Sequence, residues 1–171
     1  KNQRFLKRSK KFALGIALAL GCNVLSMGMM SNAEAAVLDT QITGGTVTLT
    51  EDTTIDTFAP VDSTLYGGIQ NVYSGGSTIT LEGYKQELNI ITGGKTGNIA
   101  GIYNGGRKIT IGKDETAKFD VININTYLEE GGTGVVYGIV RDMSDRKTAD
   151  TIINAKETNI TLSGNNGAYG V

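Results

Sequence analysis

A short quartet built around glycine returns four times along this chain and constrains its fold more than any other feature. It reads Tyr66-Gly67-Gly68-Ile69, Ile99-Ala100-Gly101-Ile102, Val136-Tyr137-Gly138-Ile139 and Ala168-Tyr169-Gly170-Val171. The third residues, Gly68, Gly101, Gly138 and Gly170, stand 33, 37 and 32 positions apart. A period in the range of about 20–50 residues marks a stacked architecture in which each unit packs only on its neighbours. Each quartet is expected to open one strand of a coil.

Two further strand sites recur between the quartets. The doublet Gly44-Gly45 precedes Thr46-Val47-Thr48-Leu49-Thr50, Gly75-Gly76 precedes Ser77-Thr78-Ile79-Thr80-Leu81, and Gly105-Gly106 precedes Arg107-Lys108-Ile109-Thr110-Ile111. A turn followed by strict alternation predicts a strand with one buried face. On this reading Val47, Ile79 and Ile109 stack in successive rungs, with Leu49, Leu81 and Ile111 beside them. The other site is Leu88-Asn89-Ile90-Ile91-Thr92, Ile122-Asn123-Ile124-Asn125-Thr126 and Asn159-Ile160-Thr161-Leu162. Here Ile90, Ile124 and Ile160 are expected to point inward, while Asn89, Asn123 and Asn159 form an outer polar row.

Composition agrees with this pattern. Residues 36–171 hold 21 Gly, 21 Thr and one proline, Pro60, and no long stretch shows the 3.6-residue apolar period of a helix. Threonine suits a pleated surface and glycine a tight turn. The predicted fold is all-β: a parallel β-helix or β-solenoid with coils of roughly 30–37 residues, each made of three short strands. One coil cannot bury its own apolar stripe, but a stack makes a continuous core. Its ends expose strand edges that need covering. Since nothing after Gly170 would cap the far end and the chain starts with Lys1, the sequence reads as the front of a longer protein.

The first 35 residues follow another logic. Lys1, Arg4, Lys7, Arg8, Lys10 and Lys11 form a basic head, an apolar run begins at Phe12, and Ala33-Glu34-Ala35-Ala36 supplies an A-x-A site. These are the three parts of a secretory signal peptide, with Ala33, Ala35 and Ala36 marking the cleavage site. Residues 1–35 are therefore assigned to a signal peptide, helical where it is folded, and 36–171 to the solenoid. An uncleaved membrane anchor needs about 20 apolar residues, whereas Gly15, Gly21 and Asn23 break this run. Gly21-Cys22 loosely matches a lipid-attachment site, and a periplasmic or lipid-anchored solenoid protein stands as an alternative.

Without the leader the net charge falls from −1 to about −6. Sixteen Lys and Arg less the six in the head leave 10, and seventeen acidic residues less Glu34 leave 16. Such a surface is unsuited to nucleic acid, which needs a basic stripe, and to an anionic membrane. No nucleic-acid partner is expected. The exported part also lacks cysteine and histidine. Disulfides, the commonest general base and the commonest metal ligand are thereby excluded from its chemistry.

Taken together, the basic leader, the A-x-A site, the cysteine-free Gly/Thr/Asn-rich coils and the quartets Tyr137-Gly138-Ile139 and Tyr169-Gly170-Val171 resemble the N-terminal end of a bacterial autotransporter, or type V secretion passenger. The resemblance covers the whole chain. It implies a right-handed parallel β-helix displayed at the cell surface and exported through a C-terminal outer-membrane β-barrel that this sequence does not contain. The implied partners are the export machinery and glycans or proteins of a host or bacterial surface. A chain threaded unfolded through a pore benefits from having no internal crosslink.

Motifs for catalysis are scarce. The chain has no G-x-S-x-G elbow, H-E-x-x-H or Walker loop. Gly131-Gly132-Thr133-Gly134 lacks the Lys-Ser/Thr of a phosphate loop and the Asp of a calcium-binding nonapeptide, and reads as a corner. Asp142, Asp145, Arg146 and Lys147 form one cluster of the types used by polysaccharide lyases, which keeps a polysaccharide-degrading β-helix as an alternative. Acids and bases interleaved in a loop more often just solvate it. No catalytic residue, cofactor or metal is assigned. Tyr66, Tyr137 and Tyr169 sit in equivalent quartets, with Tyr73 and Tyr103 just beyond the first two, and are candidates for a surface-binding row. The function expected is a structural or adhesive stalk, not an enzyme.

Overall fold

The computed structural model describes residues 35–72, 76–142 and 150–171. Within them the chain is all β, with every pairing between strands parallel. It winds as a β-solenoid of about three turns. The leader segment and Cys22 fall outside the described residues, as do Tyr73 and the cluster residues Asp145, Arg146 and Lys147.

Each coil has three faces. The leading face is built from β1 (Ala36–Leu38), β3 (Thr53–Phe58), the first halves of β6 (Glu87–Gly105) and β8 (Phe119–Arg141), and β10 (Ala155–Ser163). The middle face comprises β4 (Leu65–Val72), the second halves of β6 and β8, and β11 (Ala168–Tyr169). The closing face is a separate four-stranded sheet of β2 (Gly45–Thr48), β5 (Ile79–Glu82), β7 (Ile109–Ile111) and β9 (Thr151–Ile153). Between leading and middle faces, β6 and β8 turn without interruption. They do so through stacked Gly97 and Gly134, whose φ of 85° and 146° L side chains rarely adopt. The corner also absorbs an irregular register between Gly94 and Thr96, where β8 carries Glu129–Gly132 opposite Lys95. Gly131-Gly132-Thr133-Gly134 is thus part of a corner.

The interior is a set of apolar columns. On the leading face Leu38, Ile55, Ile90, Ile124 and Ile160 lie in register, as the alternation around Ile90, Ile124 and Ile160 predicts. Ile55 and Ile90 are fully buried and join Leu88, Ile122, Phe119 and the closing-face residues in the main core. Asn89, Asn123 and Asn159 stack just outside. The Asn123 side-chain amide donates to Asn89 Oδ1 at 2.9 Å, and that of Asn159 donates to Asn123 Oδ1 at 3.1 Å. The polar row is therefore a hydrogen-bonded ladder.

The closing face corrects one expectation. Ile79 and Ile109 stack as read, and so do Leu81 and Ile111, but Val47 pairs with Leu81 instead of Ile79. Gly45 occupies the place opposite Ile79. Because the slip is two residues, Val47 still faces inward and packs on the core. Leu49 lies beyond the end of β2, buried, with its N–H donating to Glu82 O.

The quartets align in every coil: Tyr66 with Ile99, Val136 and Ala168, and Gly67 with Ala100, Tyr137 and Tyr169. Gly68, Gly101 and Gly138 consequently form one column. None has a left-handed φ, so conformational freedom does not explain them. Space does. A Cβ on Gly68 would overlap the Thr92 hydroxyl, and one on Gly101 would strike Ile124 Cγ2 while lying 2.9 Å from Gly138 O. Here the middle sheet presses against the buried threonine column Thr57, Thr92 and Thr126 of the leading face. The glycines mark the waist of the coil, where two backbones come too close for a side chain.

A second polar element closes the middle-to-closing corner. Asn71 and Asn104 are aligned and buried. Asn71 accepts from Gly105 N at 2.8 Å and donates to Arg107 O at 2.7 Å, while Asn104 accepts from Gly106 N at 3.0 Å and donates to Thr151 Oγ1 at 2.9 Å. Each amide satisfies backbone or hydroxyl groups that the turn would otherwise bury unpaired.

Candidate functional site

The candidate tyrosine row divides. Tyr137 and Tyr169 occupy one outward column of the middle face and stack with ring centroids 5.6 Å apart at 20°. Tyr66 belongs to the neighbouring column and turns inward, packing on Ala59, Ile99, Leu128 and Val136. The quartets are equivalent as expected, but tyrosine sits at the first position in one and the second in the others. In a strand one position exchanges core for solvent. Tyr66 is therefore not part of the surface row.

Tyr103 takes its place beside the other two. It follows Ala100 by three residues on β6 and lies between Gln70 and Val140 in register. Small residues at Gly67 and Ala100 leave a recess on the outer side of the middle face. Gln70 fills it in one rung, accepting from Gly67 N at 2.9 Å and from Gln41 Nε2 at 2.9 Å. Tyr103 fills it in the next, packed down to 7% exposure with its hydroxyl donating to Asp142 Oδ2 at 3.0 Å. Burial, then the Asp142 hydrogen bond and the Asp142 charge, push the Tyr103 hydroxyl up to about 12. Tyr66 is also raised, by burial first and against a hydrogen bond from Thr57.

One rung further, the recess remains open. Leu65, Asn98, Tyr103, Tyr137, Val140 and Arg141 line it with Asp142 at the edge, enclosing about 280 Å³. A larger depression of about 780 Å³ lies on the other side of Tyr137 and Tyr169. Its walls include Ile139 and Ile153, which pack against the core, together with Tyr137, Tyr169 and the exposed Val171. It lies at the carboxy-terminal end of the described stack. The groove between Tyr103 and Tyr137 is the surface site.

The remaining sequence candidates are quickly placed. Ala35 is exposed, and Ala36 opens β1 with its N–H donating to Asp52 O at 2.9 Å, so β1 begins at the last residue of the Ala33-Glu34-Ala35-Ala36 stretch. Ala33 lies outside the described residues. Of the lyase-like cluster only Asp142 is described, and its carboxylate is engaged by Tyr103. Among the described residues no three Asp, Glu, His or Cys side chains are grouped to hold a metal. On the leading face Phe58 and Tyr127 flank Gly93, with rings 6.5 Å apart, and burial together with the charges of Asp56 and Glu129 raises the Tyr127 hydroxyl.

Two features escaped the sequence reading. Asn71 and Asn104 are separated by the same 33 residues as Gly68 and Gly101, a spacing that assigns them to one column. Tyr103 as a groove floor had a fainter signal, the smallness of Ala100 three positions earlier. The chain matches no known family model, no curated protein and no solved structure.

Proposed function

We propose that the chain is a segment of an exported, surface-displayed passenger whose role is structural or adhesive: a β-solenoid stalk resembling those of autotransporters. The observation carrying this reading is the leading-face column Leu38, Ile55, Ile90, Ile124 and Ile160, which stays in register through every rung. Such a stack behaves as a nearly one-dimensional rod whose stability is added coil by coil. That mechanics suits a spacer that folds progressively as it emerges from a pore, and the cysteine-free sequence after residue 35 suits passage through one. The coincidence of the A-x-A site with the start of β1 supports removal of the leader between Ala35 and Ala36.

The test is made in bacteria that produce the whole protein. N-terminal sequencing of the mature species is expected to begin at Ala36, and protease added to intact cells is expected to cleave the solenoid. An uncleaved leader together with full protection in intact cells would defeat the proposal.

A further inference from the structure

We infer that the groove between Tyr103 and Tyr137 is a binding subsite for a neutral pyranose sugar. The inference rests on the adhesive reading above and specifies what that surface recognises.

Tyr137 offers a ring face. One face is stacked by Tyr169 at 5.6 Å. On the other side its own column contains only Ala100 and Gly67, so no ring or long side chain of that column covers it. That face looks into the groove. Tyr103 closes the bottom of the groove, fixed there by its bond to Asp142 and by its nearly complete burial. Neither ring has to be ordered when a ligand arrives, which lowers the entropy cost of binding.

The polar groups at the rim complete the chemistry. Asn98 carries an amide that both donates and accepts, and beside it stand the Arg141 guanidinium and the Asp142 carboxylate, which already accepts from Tyr103. A pyranose presents one apolar C–H face and a perimeter of hydroxyls that both donate and accept. An electron-rich ring face beneath the C–H groups and mixed donors and acceptors at the edge match those two properties. A volume of about 280 Å³ holds roughly one sugar ring and is small for a cofactor. The rim carries one cation and one anion, so it favours a sugar without net charge. Neighbouring rings of a longer glycan would extend outward past the rim.

The proposal is tested on the purified protein, independently of where it resides in the cell. Saturation-transfer NMR is recorded with cellobiose, lactose and di-N-acetylchitobiose. At least one of them is expected to receive magnetisation, strongest at the C–H protons of one ring face. Tyr137→Ala should weaken that binding at least tenfold, while Tyr137→Phe should keep it within about twofold, since the phenyl ring preserves the face. Circular dichroism and urea midpoints of both variants establish that the coil remains folded. Should Tyr137→Ala unfold, Asn98→Ala provides the second reading, with an expected loss of about three- to tenfold from one rim hydrogen bond. Absence of transfer to all three sugars, or undiminished binding in a folded Tyr137→Ala variant, overturns the proposal.

Discussion

Replacing one glycine of the waist by alanine tests the packing logic of the solenoid directly. In Gly101→Ala the new methyl would meet Ile124 Cγ2 well inside van der Waals contact, with Gly138 O at 2.9 Å and Thr126 Oγ1 at 3.2 Å. Two of these three obstacles cannot move cheaply. Gly138 O is backbone within the parallel ladder, and Ile124 is held in a column with Ile90 and Ile160. Overpacking of a dense core costs about 1–3 kcal/mol, and a site blocked by backbone belongs at the upper end. For a chain of this size that corresponds to a fall in Tm of roughly 4–10 °C. Gly170→Ala is the internal control. The same quartet position there has nothing within 4 Å of its Cβ and no left-handed φ. Alanine is expected to be neutral or stabilising by about 0.5 kcal/mol, because it restricts the unfolded chain. Thermal and urea unfolding followed at 218 nm compares the two variants. If Gly101→Ala stayed within about 0.5 kcal/mol of the parent, or matched Gly170→Ala, the steric explanation of the quartet glycines would be wrong.

Three other outcomes are expected. Ile90→Ala removes a fully buried member of a column and should cost about 2–5 kcal/mol, whereas the half-buried Ile160 should lose less than half as much, measured by urea unfolding. Asn71→Ala strands Gly105 N–H and Arg107 C=O at a buried turn and should cost about 1–3 kcal/mol, with faster amide exchange at Gly105. The Tyr103 hydroxyl is raised from 10 to about 12, so the folded protein holds that proton more tightly than the unfolded chain does. Its contribution is intact below pH 10 and lost as pH climbs through 12. Denaturation midpoints should accordingly fall across that window, less steeply in Tyr103→Phe than in the parent.

Residues whose pattern repeats at full coil length were legible before any coordinates. The quartets, the Ile90, Ile124 and Ile160 column and the Asn89, Asn123 and Asn159 row all align as their spacing indicates. Legibility failed where phase had to be known to a single residue. Val47 lies two residues past its doublet whereas Ile79 and Ile109 lie three past theirs, and the sheet resolves the difference by slipping a full pleat period. Tyr66 shows the harsher case, since an offset of one carried it from the surface row to the inner side, where it packs half-buried against the core. The role of Gly68, Gly101 and Gly138 was hidden for another reason. Composition assigns glycine to turns, and only the approach of two sheets reveals that these positions exclude a methyl group. The groove likewise depends on how Tyr103 packs against Gly67 of the preceding rung, a tertiary event without local periodicity.

The asparagine ladder has a sense of direction. Asn123 gives its amide hydrogen to Asn89, and Asn159 gives one to Asn123, so every link points toward the amino-terminal rung. Whichever coil forms next brings its own donor and meets an acceptor already in place. Head-to-tail amide dipoles reinforce one another as the series lengthens, which makes growth from the first coil onward self-consistent and leaves the newest rung with a free carbonyl to receive its successor. The stack is in this sense a vector: its surface chemistry distinguishes its amino-terminal rung from its carboxy-terminal one.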